Sequence, residues 1–219
     1  MGTLSEQASK ELLAPHGVPF LDERSVADPD AAVAAARELG FPVVLKLNGD
    51  AIAHKTERGL VRLGLASPDA VALAAADLLG AATPEDGEVT LLVAPMIRSN
   101  REFICGASTD PQFGPTVLLG VGGILAEAIA DVAIRVAPIS AIDAHEMIEQ
   151  LRTQDLLGPF RGEAAIDRDR LVETLLALSS AIIDHEDVVS IDLNPVLIHD
   201  GTPVAVDALV EVERPGGVS

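Results

Sequence analysis

Residues 191–208 read IDLNPVLIHDGTPVAVDA. An Asp-Gly pair lies at the centre of this stretch, and such a pair favours a two-residue hairpin turn. In the register set by this turn Asn194 faces Asp207, about 4.5–5.5 Å away between Cβ atoms, and Asp192 shares the face of Asn194. One amide oxygen and one carboxylate at that spacing suit Mg²⁺, which takes oxygen ligands. The hairpin therefore predicts a metal site at Asn194 and Asp207, unless the two residues only terminate strands.

Two of the three lysines lie close together in the sequence. Lys46 ends an apolar stretch, residues 41–47, that is typical of a buried strand, and Lys55 lies in the polar loop 48–59. A lysine at a strand end is a compact charge on a long stem, and it can reach a phosphate across a cleft. The alternative is that Lys46 is a solvated lysine on an edge strand.

Capping residues and glycines divide the chain into two segments. Ser25 or Asp28 can cap a helix that ends at Gly40, and Ser67 can cap a second helix that ends at Gly80. We expect a lobe boundary in the polar stretch 82–88, with a first lobe over residues 1–88, a second lobe over 89–213 and a tail over 214–219. The second lobe is predicted to hold strands near 89–94, 102–106 and 117–119, helices near 124–130, 141–151 and 167–184, and the final hairpin.

The composition excludes several classes of protein. Lys and Arg number 15 against 34 Asp and Glu, which gives a net charge of −19, and the chain has no Trp, no Tyr and five Phe. Nucleic-acid binding needs a basic surface, so we expect no nucleic-acid partner. No apolar run approaches the roughly 20 residues of a membrane span. The first residues lack a signal pattern and Cys105 is the single cysteine, so we expect a soluble cytoplasmic protein in which Cys105 is a buried strand residue.

Four ordered motifs carry a resemblance to a known family. They are His54-Lys55-Thr56-Glu57-Arg58-Gly59-Leu60-Val61, DPQFGP at 110–115, GVGGILAE at 120–127, and DLNP at 192–195 with Asp207-Ala208. Together they resemble the ATP-grasp domain of nucleoside-diphosphate-forming acyl-CoA synthetases, and the last one also resembles the nucleotide-binding subunit of succinyl-CoA synthetase. The match is collinear from about residue 4 to residue 212. Leu60 departs from it, because the family usually has a second glycine there.

The resemblance implies an α+β protein with the ATP-grasp fold, in which two lobes clasp ATP. It implies a reaction in which a carboxylic acid, CoA and ATP give acyl-CoA, ADP and phosphate through an acyl phosphate and a phosphohistidine. ATP and Mg²⁺ would be the cofactors. A separate CoA-binding alpha-type subunit would carry the acyl chemistry, so we expect a hetero-oligomer.

The resemblance also assigns roles to residues. Lys46 would contact the ATP phosphates, Asn194 and Asp207 would hold Mg²⁺, and His54 would relay the phosphoryl group. Glu127 would be a second catalytic residue that orients a histidine. The remaining nucleotide-binding candidates are Lys55, Gly59, Glu102, Gly122 and Gly123.

Each assignment has a simpler alternative. His54 could be a loop histidine bonded to the backbone, and Glu127 could face solvent. Gly122 and Gly123 could only form a tight strand-to-helix turn, although a helix N-terminus after such glycines also binds anions. Arg98 and Arg101 are expected on a solvated rim.

The function predicted from the sequence is that of a nucleotide-binding, beta-type subunit of an ADP-forming acyl-CoA synthetase. One alternative is a regulatory subunit that binds ATP without turnover, which Leu60 favours. Another is an ATP-grasp ligase that joins a carboxylate to an amine. The lack of an acceptor-binding extension argues against this alternative. The sequence identifies neither the acid nor the choice between ATP and GTP.

Overall fold

A computed structural model describes residues 1–52, 55, 58–123 and 129–213. The chain folds into two compact units. The small unit comprises Thr3–Ala8 and Leu21–Ile97, and the large unit comprises Met1–Gly2, Ser9–Phe20 and the chain from Arg98 onward. Among the described residues, no helix combines the length and the hydropathy that crossing a membrane requires.

The small unit is a four-stranded antiparallel sheet with two helices. The strands are β2 (Arg24–Val26), β3 (Val43–Asn48), β4 (Val61–Leu65) and β5 (Thr90–Pro95), in the order β2-β5-β3-β4, and the helices are α2 (Pro29–Leu39) and α3 (Pro68–Gly80).

Local sequence signals set both of these helices. The Asp28 carboxylate accepts a hydrogen bond from the Ala31 backbone N–H at 2.8 Å, and the Ser67 hydroxyl accepts one from Ala70 at 3.2 Å. Each satisfies a backbone donor that the first helical turn leaves free. The predicted helices are therefore confirmed, with Asp28 as the cap of α2. One apolar core contains their buried faces and residues of β3 and β5.

The lobe boundary expected at residues 82–88 is wrong. Strand β5, which was assigned to the second lobe, pairs with β3 from Pro95 to Thr90 and with β2 at its other edge, so the small sheet is incomplete without it. The polar stretch is a local turn inside the small unit, where Asp86 and Thr83 form a capping box. The units divide after Ile97.

The large unit is built on a seven-stranded sheet. Its strands are β1 (Gly2–Thr3), β6 (Glu102–Asp110), β7 (Gly114–Val121), β8 (Val132–Val136), β9 (Val188–His199), β10 (Thr202–Ala205) and β11 (Leu209–Val212), in the order β1-β11-β9-β6-β7-β8 with β10 beside β9. Its helices include α4 (Ala141–Gln150) and α5 (Arg168–Asp184), whereas α1 (Glu6–Leu13) begins in the small unit and continues into the large one.

Helices α4 and α5 cover one face of this sheet. Strand residues on that face, such as Phe103, Cys105 and Leu119, are fully buried, as are Met147 of α4 and Leu175 of α5. Side chains of a strand alternate between faces, so the residues between them point to the opposite face. That opposite face carries the candidate site of the large unit.

The predicted hairpin at Asp200-Gly201 is confirmed. Thr202 pairs with His199 and Ala205 pairs with Val196, as a two-residue turn requires. Both turn residues have positive φ, 49° for Asp200 and 83° for Gly201, which is the backbone geometry of a type I′ turn.

Candidate functional site

Both candidate phosphate-binding lysines are held by a single carboxylate inside the small unit. Lys46 Nζ donates a hydrogen bond to Glu6 Oε1 at 2.6 Å, and Lys55 Nζ donates one to Glu6 Oε2. Glu6 is 1% exposed and each lysine is 8% exposed. These three side chains carry one more positive than negative charge, so their cluster attracts anions even though the chain as a whole has a net charge of −19.

Lys46 is not the edge-strand or solvated lysine of the alternative interpretation. Strand β3 lies between β5 and β4, and all six of its residues are buried. The start of α1 is tied to the end of this strand, because the Gln7 backbone N–H donates a hydrogen bond to Asn48 Oδ1 at 3.3 Å. The same tie keeps Glu6 next to the lysines. A buried carboxylate between two ammonium groups fixes the position of both charges.

A second ion pair in the small unit joins Arg58 to Asp86. The Arg58 guanidinium donates two hydrogen bonds to the Asp86 carboxylate, at 2.7 and 3.0 Å. These bonds, together with hydrogen bonds from Thr83, hold the pKa of Asp86 well below its usual range. Gly59 follows with φ +67°, a conformation that favours glycine. The predicted relay residue, His54, lies outside the described residues.

Leu60, the departure from the family pattern, is accommodated without strain. Its side chain is 2% exposed and belongs to the apolar core of the small unit. Its φ is not in the left-handed region, and its backbone N–H donates to the Lys55 carbonyl at 2.8 Å. The larger side chain therefore adds to the apolar core.

The uncovered face of the large sheet has an apolar half and an acidic half. One row across the strands runs Ile134, Leu118, Gly106, Asp192 and Leu209. Adjacent strands lie about 4.8 Å apart, so the row passes from two apolar side chains to a carboxylate within roughly 15 Å. A surface of this kind can hold a molecule that is apolar at one end and anionic, with a metal ion, at the other.

Glycines in the strands leave the middle of this sheet face without side chains. At Gly106 a Cβ would lie 3.0 Å from the Ile191 carbonyl oxygen, and at Gly120 a Cβ would lie 2.9 Å from Val132 Cγ1. Side chains at either position would force neighbouring strands to move. The face is therefore flat next to Asp192, where a ligand can approach the backbone.

The predicted metal ligands share a register at the acidic half. Leu209 pairs with Asp192, and the Val206 N–H donates to the Pro195 carbonyl at 3.1 Å, so the register of β10 continues into β11. The shared register brings Asp207, which lies between the two strands, to the level of Asn194. The assignment of these two residues as metal ligands stays a prediction. Solvent loss around Asp192 and the negative charge of Asp207 raise the pKa of Asp192.

Two carboxylates that repel each other beside an amide oxygen suit a hard divalent cation, because Mg²⁺ takes a few protein oxygens and completes its shell with water and phosphate. Asp192 and Asn194 are both exposed and Asp207 is half-buried. The described residues contain no group of three or more Asp, Glu, His or Cys side chains arranged around a metal position. The set therefore fits a magnesium ion that is shared with a ligand.

Glu102 and the two loop glycines lie close together where β6 begins and β7 ends. The Gly122 N–H donates to the Glu102 carbonyl at 2.7 Å, and a Cβ at Gly122 would lie 3.2 Å from the carbonyl carbon of Glu102. Gly123 has φ +86°, and a Cβ there would lie 3.7 Å from Glu102 Oε2. Three of the predicted nucleotide-binding residues therefore lie together. Glu127 lies outside the described residues.

Arg101 is not part of a solvated rim. Its side chain is fully buried and donates to Glu163 at 3.0 Å and to the carbonyls of Leu156, Gly158 and Ala164. It fixes the loop before α5, so its role is structural. Arg98 is exposed, as expected.

Cys105 is a buried strand residue, as predicted. Burial, with a smaller contribution from the Asp192 charge, raises the pKa of the Cys105 thiol to about 12. The thiol therefore stays protonated and is a poor nucleophile. The motif at Asp110 is also structural, because its carboxylate accepts the N–H groups of Gln112 and Phe113 and closes the turn between β6 and β7.

Sequence reasoning missed Glu6 and the apolar half of the sheet face. Glu6 precedes the lysines by 40 and 49 positions, and only the fold brings it to them. The apolar half depends on β8, a strand that was not predicted. Its alternating Val132, Ile134 and Val136, each more than half exposed, were the available signal.

Comparison with known proteins gives the family. The profile described as an ATP-grasp domain matches residues 1–212. The beta subunit of an ADP-forming acetate–CoA ligase II from Pyrococcus furiosus is 34% identical over 212 residues, which are 94% of this chain and 89% of that protein. A trans-feruloyl-CoA synthase is 36% identical over 218 residues, and this chain spans 31% of its length.

Solved structures agree with the sequence match. An acetyl-coenzyme A synthetase 1 from Ca. Korarchaeum cryptofilum, in complex with coenzyme A and Ca-AMPCP, has a TM-score of 0.89 and 32% identity, over 97% of this chain and 94% of that one. A second structure of that enzyme, with Mg-AMPPCP and a phosphohistidine segment pointing towards the nucleotide-binding site, has a TM-score of 0.82 and 32% identity, over 97% of this chain and 93% of that one. The predicted α+β, ATP-grasp fold is confirmed, and the chain belongs to the nucleotide-binding ATP-grasp domain family, in its ADP-forming acyl-CoA synthetase branch.

Proposed function

We propose that this chain is the nucleotide-binding, beta-type component of an ADP-forming acyl-CoA synthetase. The reaction joins a carboxylic acid to CoA, while ATP is converted to ADP and phosphate. The observation that carries the proposal is the buried pair Lys46 and Lys55, which supplies concentrated positive charge in an acidic chain. Lys55 lies in the family motif at 54–61.

Lys46 and Lys55 would bind the phosphates of ATP. Phosphoryl transfer depends mainly on positioning and on neutralising charge, and two fixed ammonium groups provide both. Glu6 keeps the ammonium groups in place before the nucleotide arrives. Gly59, at a left-handed backbone position after Lys55, would let the nucleotide approach the main chain.

In the large unit, Glu102, Gly122 and Gly123 would contact the nucleotide, and Asn194 and Asp207 would hold Mg²⁺ with Asp192 beside them. The metal ion, when bound, neutralises phosphate charge. Apolar residues Ile104 and Leu118 of the uncovered sheet face offer a surface for the base, next to the glycines of β6 and β7.

His54 would accept the phosphoryl group, with Glu127 as the residue that orients a histidine. A CoA-binding alpha-type subunit would complete the enzyme as a hetero-oligomer and would exchange phosphoryl groups with this chain. This division of labour is supported by the Pyrococcus furiosus relative, which is named as a beta subunit.

Reconstitution tests the proposal. The chain is mixed with a CoA-binding partner subunit, acetate or another acid, CoA and Mg-ATP, and both ADP and acyl-CoA are measured. We expect ADP and acyl-CoA in equal amounts, dependent on each component. ATP binding without turnover would support the regulatory alternative, and ADP formation that needs an amine instead of CoA would support the carboxylate–amine ligase.

The position of Leu60 bears on the regulatory alternative. That alternative was suggested by the missing glycine, but Leu60 is buried in the core and strains no backbone. Leu60→Gly should therefore lower the free energy of unfolding by about 2–5 kcal/mol, as removal of a buried leucine side chain does. It should not increase turnover of the reconstituted enzyme, whereas an increase would indicate that Leu60 restrains catalysis.

A further inference from the structure

Two histidines of the large unit contact each other. His16 lies at the end of the short 3₁₀ turn Ala14–His16, and His185 follows the last residue of α5. Their Nε2 atoms are 3.2 Å apart, and the ring planes are inclined by 72°. The His16 side chain is 14% exposed, so its ring is largely shielded from solvent.

Hydrogen bonds fix the His16 ring. The Ser180 hydroxyl donates to Asp184 Oδ2 at 2.9 Å, so the Ser180 oxygen accepts from His16 Nδ1–H at 3.2 Å. The Asp184 carboxylate is also 3.8 Å from His16 Nδ1. In this arrangement the proton of His16 is on Nδ1, and its Nε2 lone pair points at His185. Histidines that bind metals in proteins have the same kind of support on the other nitrogen.

We propose that His16 and His185 form a binding site for a transition-metal ion of the Zn²⁺, Ni²⁺ or Cu²⁺ class. Two imidazole nitrogens that each lie about 2.0–2.1 Å from one tetrahedral Zn²⁺ are roughly 3.3–3.4 Å apart, close to the 3.2 Å between these nitrogens. Water completes the coordination shell. Imidazole is a preferred ligand of these ions and not of Mg²⁺, which distinguishes this site from the one at Asn194 and Asp207.

The end of helix α5 also favours a cation. The C-terminal end of a helix carries partial negative charge, and His185 is the residue that caps it, with its N–H bonded to the Ala181 carbonyl. The Asp184 carboxylate adds a full negative charge within reach of His16. A bound ion would join the segment before β2 to the end of α5, and so would stabilise the large unit.

The competing interpretation is a hydrogen bond between the two imidazoles, with a proton on His185 Nε2. It predicts no dependence on metal ions, and the two possibilities can therefore be separated. The full chain is freed of metal with a chelator. Its thermal unfolding and its affinity for Zn²⁺ are then measured by calorimetry at pH 7.5.

We expect Zn²⁺ to raise the unfolding temperature. His16→Gln and His185→Gln should each weaken Zn²⁺ binding by more than tenfold, and Ser180→Ala should weaken it by about tenfold, the lower range for loss of a supporting group. The matched control is the double variant His145→Gln/His199→Gln, which removes two exposed histidines, each beside a single aspartate, and should leave the affinity unchanged.

Cu²⁺ bound to the wild-type chain gives a further readout that does not depend on folding of the variants. Its electron paramagnetic resonance spectrum should show splitting from two imidazole nitrogens. Absence of Zn²⁺ stabilisation in the wild type, equal affinity in the His16→Gln and control variants, or a copper spectrum without two nitrogens would overturn the proposal.

Discussion

Lys46 donates a hydrogen bond from Nζ to Glu6 Oε1 at 2.6 Å, with both side chains buried in the small unit. The negative charge of the carboxylate stabilises the positive charge of this buried lysine. It also occupies the ammonium group that the proposed function assigns to a phosphate. In the proposed function, Glu6 would therefore both hold the two lysines in place and compete with the nucleotide for them.

Glu6→Gln tests both effects. The variant removes the negative charge beside two buried ammonium groups. The free energy of unfolding should therefore fall by roughly 3 kcal/mol, at the lower end of the range for breaking a buried ion pair. Mg-ATP should then raise the unfolding temperature of the variant by more than it raises that of the wild type, because phosphates replace the missing charge. Glu11→Gln, on the exposed side of the same helix, is the control. Equal nucleotide stabilisation in Glu6→Gln and wild type would contradict the competition.

Lys46→Met keeps the aliphatic stem and removes the charge. ATP affinity measured by calorimetry should fall by about 1.5–3 kcal/mol, the range for a hydrogen bond to a charged group. Lys10→Met makes the same chemical change at the third lysine, which lies over the Phe20 ring, and should leave ATP affinity unchanged. An unaltered dissociation constant in Lys46→Met would remove Lys46 from the nucleotide site.

Asp207→Asn should weaken the Mg²⁺ dependence of ATP binding, since it removes a full charge from the proposed ligands while nearly preserving shape. The measurement is the stabilisation by ATP across a Mg²⁺ titration. Asp187→Asn, on the exposed surface before β9, serves as the control. A magnesium requirement that is the same in Asp207→Asn and wild type would show that the hairpin does not bind the metal ion.

Asp192 predicts a pH dependence. Its pKa is raised in the folded state by solvent loss and by the Asp207 charge, so the folded chain binds more protons than the unfolded chain between the ordinary and the raised pKa. The contribution of Asp192 to the free energy of unfolding therefore falls as pH rises through that window. Asp192→Asn should remove this decrease and should stabilise the metal-free chain at neutral pH. Parallel stability profiles for variant and wild type between pH 3.5 and 7 would contradict it.

Gly123→Ala separates backbone strain from ligand contact. Alanine at φ +86° should cost roughly 1–2 kcal/mol of the free energy of unfolding, and its methyl group would lie next to Glu102, so ATP affinity should fall as well. Gly162→Ala has the same strain, at φ +87°, with no atom within 4 Å of the added methyl group. It should lose similar stability and keep its ATP affinity. Equal affinity in the two variants would place Gly123 outside the site.

Local signals in the sequence were sufficient to predict those helices and turns whose ends depend on nearby residues. Asp28, Ser67 and the Asp200-Gly201 turn set helix starts and a hairpin register through bonds within a few residues, and the structure agrees with each. The lobe boundary was not predictable in this way. Strand β5 follows a polar turn, and its place between β2 and β3 depends on pairing with residues more than 40 positions away.

The same distinction between local and long-range signals applies to the candidate site. The family motifs suggested Lys55, Gly122 and the hairpin residues as site candidates, because the motifs are short patterns that the sequence shows directly. Glu6 was missed, since a single acidic residue in the first turn of a helix is common, and Arg101 was misplaced because a buried arginine needs partners that the sequence does not reveal.

Phosphoryl transfer to His54 is the step that distinguishes the proposed enzyme from a nucleotide sensor. The wild-type chain and His54→Ala are incubated with γ-labelled Mg-ATP or with a phosphorylated CoA-binding partner, and covalent label on the chain is measured after acid and after base treatment. In the wild type we expect a covalent label that is lost in acid and stable in base. His54→Ala should acquire no label. Its ATP affinity should stay nearly unchanged, because ATP binding is assigned to other residues. A wild-type chain that binds ATP and its partner but never acquires label, or label that persists in His54→Ala, would contradict the proposed relay.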